Sequence, residues 1–114
     1  MPFIDSRVSL SLNKEQRAEI VRRLGQAISI LPGKSERYLM TEIRDNAHLS
    51  LAGDSGTPAA MISVSIFGSA GRADYDRLTA ALCDIFSDVA KIPPERTYVS
   101  YTECGTWGWN RENF

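Results

Sequence analysis

Apolar and polar positions along this chain run through the same order twice. Residues 3–10 predict a strand, with Ile4, Val8 and Leu10 among its apolar positions. Asn13 then offers a helix cap, and Gln16 three residues on completes a capping box. Ile20, Val21, Leu24, Ala27, Ile28 and Leu31 follow at helical spacing as one buried stripe, which Pro32-Gly33 ends. The pattern predicts a second strand over residues 38–44 and a short edge piece over 48–51. A turn-rich loop, Gly53-Asp54-Ser55-Gly56-Thr57-Pro58, comes next.

The second half repeats the sequence of elements. Residues 59–67 predict a strand, Gly68-Ser69-Ala70-Gly71 a turn, and residues 73–90 a helix with Leu78, Leu82, Ile85, Phe86 and Val89 on its apolar face. Pro93-Pro94 punctuates, and residues 97–103 form the closing strand. The two return strands open alike, Glu36-Arg37-Tyr38-Leu39 against Glu95-Arg96-Thr97-Tyr98-Val99, with one residue inserted. Two pseudo-symmetric β-α-β units imply parallel strand pairs joined by right-handed crossovers. The expected class is α+β: a single domain over residues 1–114, with a four-stranded mixed sheet and both helices on one face.

The other face of that sheet lacks a cover. Along the third strand Ile62, Val64 and Ile66 suit the helices, while Met61, Ser63, Ser65 and Phe67 point away from them. A half-polar face that still carries Met61 and Phe67 is better explained by contact with other copies of the sheet than by solvent. The expectation is a closed ring of identical subunits.

Composition narrows the function. A net charge of -1 gives no nucleic-acid footprint. No apolar run reaches the roughly 18 residues of a membrane span. The amino terminus lacks the basic and apolar regions of a signal peptide, so the expected location is cytoplasmic, with export only by an unconventional route. Cys83, in an apolar helical stretch, reads as a small buried hydrophobe. Cys104, in a glycine-rich loop, reads as a free thiol. The two have no metal-ligand spacing.

The opening Met1-Pro2 carries the chemistry. Removal of Met1 ahead of a small side chain leaves Pro2 with a free secondary amine, the only proline nitrogen able to accept a proton. An ordinary α-amine has a pKa of about 7.7–8.0. Burial or a neighbouring cation lowers it, giving a base that is neutral at working pH.

A free amino-terminal proline on a doubled strand–helix–strand chain resembles the tautomerase superfamily, and within it the macrophage migration inhibitory factor family. The resemblance spans nearly the whole chain. It rests on Pro2-Phe3-Ile4, on Gly33-Lys34 followed by Tyr38, and on Phe67-Gly68. Pro94-Glu95-Arg96 followed by Tyr98, and Gly108-Trp109-Asn110 closing on Phe114, complete it. The family is similar in fold and forms homotrimers with sites at subunit boundaries. The resemblance implies keto–enol tautomerisation of a small aromatic α-keto acid, phenylpyruvate-like or dopachrome-like, without a cofactor. Carried over by position, Pro2 is the base and then the acid, and Lys34 binds the substrate carboxylate. Tyr38, Tyr98, Trp107, Trp109 and Phe114 form an aromatic pocket, and Phe67 offers its backbone N–H. Ser100 stands where the family has asparagine, and Trp107 replaces a smaller apolar residue.

Four extra residues within 29–32 lengthen the first helix or its exit loop. Ala59 and Ile62 occupy the positions of the CxxC known in one family member, so thiol–disulfide activity is not implied. The alternative is a cytokine-like signalling or binding protein with a vestigial pocket and a protein receptor as partner. A tautomerase for a hydroxymuconate-like diacid, using Lys34 with Arg37, is a closer variant. His48 reads as structural or surface, and Gly68-Ser69-Ala70-Gly71 as a plain turn.

Overall fold

The computed structural model describes residues 1–114. Its main elements are β1 (Pro2–Val8), α1 (Lys14–Ala27), β2 (Met40–Arg44), β3 (Ala60–Phe67), α2 (Arg72–Ala90) and β4 (Thr97–Cys104). A small hairpin of β5 (Gly108–Trp109) and β6 (Glu112–Asn113) closes the chain. The sheet order is β2-β1-β3-β4. Each β-α-β unit contributes one parallel pair, β1 with β2 and β3 with β4, and β1 and β3 join the halves antiparallel. The mixed α+β sheet predicted from the doubled pattern is present.

The capping box starts α1: the Gln16 N–H donates to Asn13 Oδ1 at 2.7 Å and the Asn13 N–H to Gln16 Oε1 at 2.9 Å. At its far end a 3-10 turn over Ile28–Ile30 absorbs the extra residues, and Leu31 is fully buried. The insertion therefore adds to the core. At the end of α2, Lys91 adopts a left-handed conformation (φ 58°) and its N–H returns to the carbonyls of Phe86 and Ser87.

Alternation along β3 follows the predicted sides. Ile62, Val64 and Ile66 are buried, whereas Met61, Ser63, Ser65 and Phe67 are half-buried on the other face. The buried set packs with Ile4 and Val8 of β1 against Ile20, Leu24, Leu78, Leu82 and Phe86 of the helices. Burying a side chain of this size contributes about 1.5–3 kcal/mol, so this single layer holds the sheet that carries the site.

Six expectations need correction. Val21 is exposed and stands outside the buried stripe of α1, and Cys83 is half-buried, not part of the core. The first strand stops at Val8, because the chain turns there to meet the loop after β2: the Asn46 N–H donates to the Leu10 carbonyl and the Ala47 N–H to that of Val8. Tyr38 lies in a 3-10 turn (Glu36–Tyr38), and β2 begins only at Met40, opposite Phe3. The edge piece over 48–51 is no strand; a single bridge joins Leu51 to Asp54. The Asp54 carboxylate organises that loop by accepting from the Gly56 N–H and the Thr57 hydroxyl. Arg96 fastens it with hydrogen bonds to the carbonyls of Leu51, Asp54, Thr57 and Pro58. Lastly, Cys104 is the final residue of β4, paired with Phe67, and not part of a loop.

No helix is long and apolar enough to cross a membrane.

Candidate active site

Pro2 opens β1 opposite Ile66, a first-strand position where a residue without an N–H is tolerated. Met1 precedes it here, so the Pro2 nitrogen is a tertiary amide. The Met1 carbonyl accepts from the Phe67 N–H at 3.1 Å. Lys34, carried on the turn after the α1 extension, donates from Nζ to the Phe67 carbonyl at 2.6 Å. Gly33 turns the chain ahead of it at φ 78°, a conformation that favours glycine. The longer exit from α1 thus leaves Lys34 at the amino terminus.

The amino-terminal amine is held below its ordinary basicity. Burial is the first cause, the positive charge of Lys34 the second, and a hydrogen bond with the Lys34 side chain the third. All three favour the neutral amine.

An open cleft of about 720 Å³ extends from this point, within the usual range of ligand pockets, about 300–1,000 Å³. Pro2, Tyr38, Trp107 and Trp109 line it, as the family positions imply, together with Met1, Phe3, Arg37, Leu39, Met40, Ser65, Cys104 and Gly108. The Tyr38 ring meets Trp109 edge-on at 5.7 Å between centroids, Trp109 stacks near Phe114 at 6.3 Å, and Phe114 reaches Phe67 at 6.1 Å. These contacts link the cleft wall to Phe67 and so to Lys34. Tyr38, Trp109 and Phe114 stay 41%, 50% and 48% exposed, so they are not core packing in this subunit.

The wall hangs on the C-terminal hairpin, which the hydrophobic pattern does not predict. Trp107 and Phe114 exchange backbone hydrogen bonds across it, and Asn110 and Arg111 form its turn at φ 50° and 74°. Two consecutive positive φ values are the mark of a type I′ turn, usually Asn-Gly. Arginine in the second place hides that signal.

Tyr98 and Ser100 do not join the cleft. They pair with Met61 and Ser63, five and three residues along β3 from the partner of Pro2. At about 3.3 Å per residue, they lie roughly 16 and 10 Å along the sheet. Tyr98 lines a separate small cavity with Met61, Leu49 and Leu51. Cys104 and Arg37 do line the main cleft. The register of β4 against β3 brings Cys104 there, which a strand count alone could have indicated. No group of three or more His, Cys, Asp or Glu is placed to hold a metal ion.

Comparison with known proteins agrees with this fold. The macrophage migration inhibitory factor (MIF) family profile matches residues 1–112. The rat macrophage migration inhibitory factor is 28% identical over 99 residues, covering 85% of this chain and 82% of the rat protein. That of Xenopus laevis is 29% identical over the same shares. Among solved structures, Leishmania major MIF2 superposes with a TM-score of 0.92 at 32% identity, covering 100% of this chain and 97% of that one. The MIF-like protein of Entamoeba histolytica superposes at 0.87 with 21% identity, covering 99% and 98%. With a matching profile over almost its full length and the same fold, this chain belongs to the macrophage migration inhibitory factor family.

Proposed function

We propose that this protein is a cofactor-independent keto–enol tautomerase for small aromatic α-keto acids of the phenylpyruvate or dopachrome type. Its base is the Pro2 amine freed by loss of Met1. The observation that carries this reading is the aromatic-walled cleft that Pro2 lines, with Lys34 beside the amino terminus; the Met1 amine there is held below its ordinary basicity. Trimming moves the amine by one residue, to Pro2, which lines the same cleft.

The chemistry follows from those groups. The neutral Pro2 nitrogen takes a proton from the carbon next to the substrate carbonyl, and the electron pair moves onto the carbonyl oxygen as an enolate. The resulting Pro2 ammonium then returns a proton to give the other tautomer. Lys34 binds the substrate carboxylate and disfavours protonation of the free base. Loss of Met1 also removes the carbonyl that occupies the Phe67 N–H, which turns that N–H into a donor facing the substrate. The rings of Tyr38, Trp107 and Trp109 hold an aromatic substrate and keep water from the amine.

Homotrimer formation is part of the same proposal, with Tyr98 and Ser100 serving the cleft of a neighbouring subunit. Their placement away from their own Pro2 supports this, as does the half-polar outer face of the sheet.

The test is phenylpyruvate ketonisation on protein whose intact mass confirms loss of Met1, comparing wild type with Pro2→Gly. General acid–base catalysis by a positioned group contributes about 10²–10⁴-fold, so a fall of at least about tenfold is expected from replacing the secondary amine. Undiminished turnover in the glycine variant sinks Pro2 as the base. A trimer without turnover but with saturable receptor binding would favour the cytokine-like alternative.

A further inference from the structure

Arg37 is the one charged side chain lining the cleft, which contains no aspartate or glutamate. Its guanidinium carbon lies 5.3 Å from the centroid of the Tyr38 ring. Apart from Arg111 at the hairpin turn, every other arginine of the chain reaches a carboxylate within 4.0 Å. Arg37 reaches none. The adjacent Glu36 is occupied elsewhere, packed so closely on Gly25 of α1 that a Cβ there would meet its Cδ at 2.6 Å. An arginine resting on an aromatic face keeps its N–H edge available and loses little freedom on binding an anion.

Lys34 and Arg37 hold different stations. The lysine is engaged with the Phe67 carbonyl and the amino terminus. The arginine stands on Tyr38, with no acid to neutralise it. A substrate with one carboxylate can pair with only one of them. The geometry points to Arg37 as a specificity-determining residue that pairs with a second anionic group. The favoured substrates are therefore dianionic: aromatic α-keto acids with a further carboxylate on the ring, remote from the reacting carbon. The planar guanidinium fork suits a carboxylate bidentately, which a lysine could not match. This inference rests on the tautomerase reading for its reaction, though not for its binding.

Two measurements separate those dependencies. Binding is read from Trp107 and Trp109 fluorescence, titrating 3-phenylpropionate against 3-(4-carboxyphenyl)propionate in wild type, Arg37→Gln and Arg37→Lys. Turnover is read with phenylpyruvate against its 4-carboxy derivative. The dicarboxylate is expected to bind about three- to tenfold tighter than the monocarboxylate in wild type. Arg37→Gln is expected to abolish that ratio and Arg37→Lys to keep part of it. The kcat/KM ratio of the two ketones should fall by the same factor in Arg37→Gln. Equal binding of the two ligands in wild type, no binding of the dicarboxylate, or a preference that survives in Arg37→Gln would overturn the inference. Absence of turnover on both ketones with the binding preference intact removes the tautomerase reading and leaves the role of Arg37 standing.

Discussion

Replacing Lys34 with methionine keeps most of the side-chain volume and removes the charge, which makes Lys34→Met the sharpest probe of the site. Lys34 is assigned two tasks. On the proposed reading it binds the substrate carboxylate, and it lowers the basicity of the freed Pro2 amine through its charge and its hydrogen bond, as it does that of the Met1 amine. A hydrogen bond to a charged group contributes about 1.5–3 kcal/mol. At about 1.4 kcal/mol per tenfold, that is roughly ten- to hundredfold in kcat/KM. Lys34 is only half-buried, so the lower end, about tenfold, applies. The pH dependence has a definite sign. Burial remains in the variant, while both contributions of Lys34 are lost, so the amine becomes more basic and stays protonated to higher pH. The low-pH limb of kcat/KM, which reports the base in the free enzyme, moves upward. The activity loss is consequently larger at pH 6 than at pH 8. Phenylpyruvate ketonisation across that range, on mass-verified protein with Pro2 at its terminus, reads both effects. A limb that stays in place or moves to lower pH refutes the electrostatic role of Lys34. A loss of less than about twofold at every pH refutes its part in binding.

Two further changes test the frame around the site. Asn13→Ala removes the side-chain half of the capping box on α1 and should cost about 1 kcal/mol; thermal melts at fixed protein concentration should show a drop of about 4 °C, and an unchanged Tm would mean the cap contributes nothing. The Tyr75 phenol is pushed up to about 12, first by burial, then by its 2.5 Å hydrogen bond to Glu103 and that group's negative charge. Its folded-state value exceeds the ordinary one, so the stability it contributes is complete below pH 10 and lost as pH rises towards 12. Ultraviolet titration, with Tyr75→Phe to identify the signal, should show it ionising at lower pH in Glu103→Gln; an unmoved transition would contradict the pairing.

What was legible along the chain was local. The stripe from Ile20 to Leu31, the Asn13–Gln16 cap and the alternation of β3 each depend on neighbours within a few residues, and the structure keeps them except at Val21, which is exposed. What was misread depends on distant partners. Tyr38 reads as strand because Tyr-Leu-Met-Thr has strand-like residues, yet β2 can pair only where β1 runs beside it, starting with Phe3 against Met40. Residues 48–51 alternate convincingly, but the Asp54 turn and the Arg96 clamp give their backbone other partners. The C-terminal hairpin escapes notice because a left-handed arginine replaces the glycine that normally marks such a turn. That hairpin carries Trp109, so the least predictable element supplies part of the cleft wall.

The candidate site shows the same division at a larger scale. Pro2, Lys34, Phe67 and the Tyr38–Trp109–Phe114 group come together within one chain because β1, the α1 exit and the C-terminal hairpin converge at one end of the sheet. Tyr98 falls on the family pattern and Ser100 stands at its asparagine position, yet their pairing with Met61 and Ser63 sets them well along the sheet from that end. A pairing register is rigid: sliding β4 by one residue would turn its buried side outward. No adjustment inside the subunit can therefore return Tyr98 to Pro2. Tyr98 is 58% exposed, beside the apolar groups Leu49, Leu51 and Met61. An exposed ring on such a shelf is poorly explained by solvent alone. If both residues act on substrate, a second copy must bring them, and the half-polar outer face of β3 offers the surface on which that copy would pack. Assembly is then a condition of catalysis: dilution to monomers should abolish turnover even where Pro2 is free and Lys34 is in place.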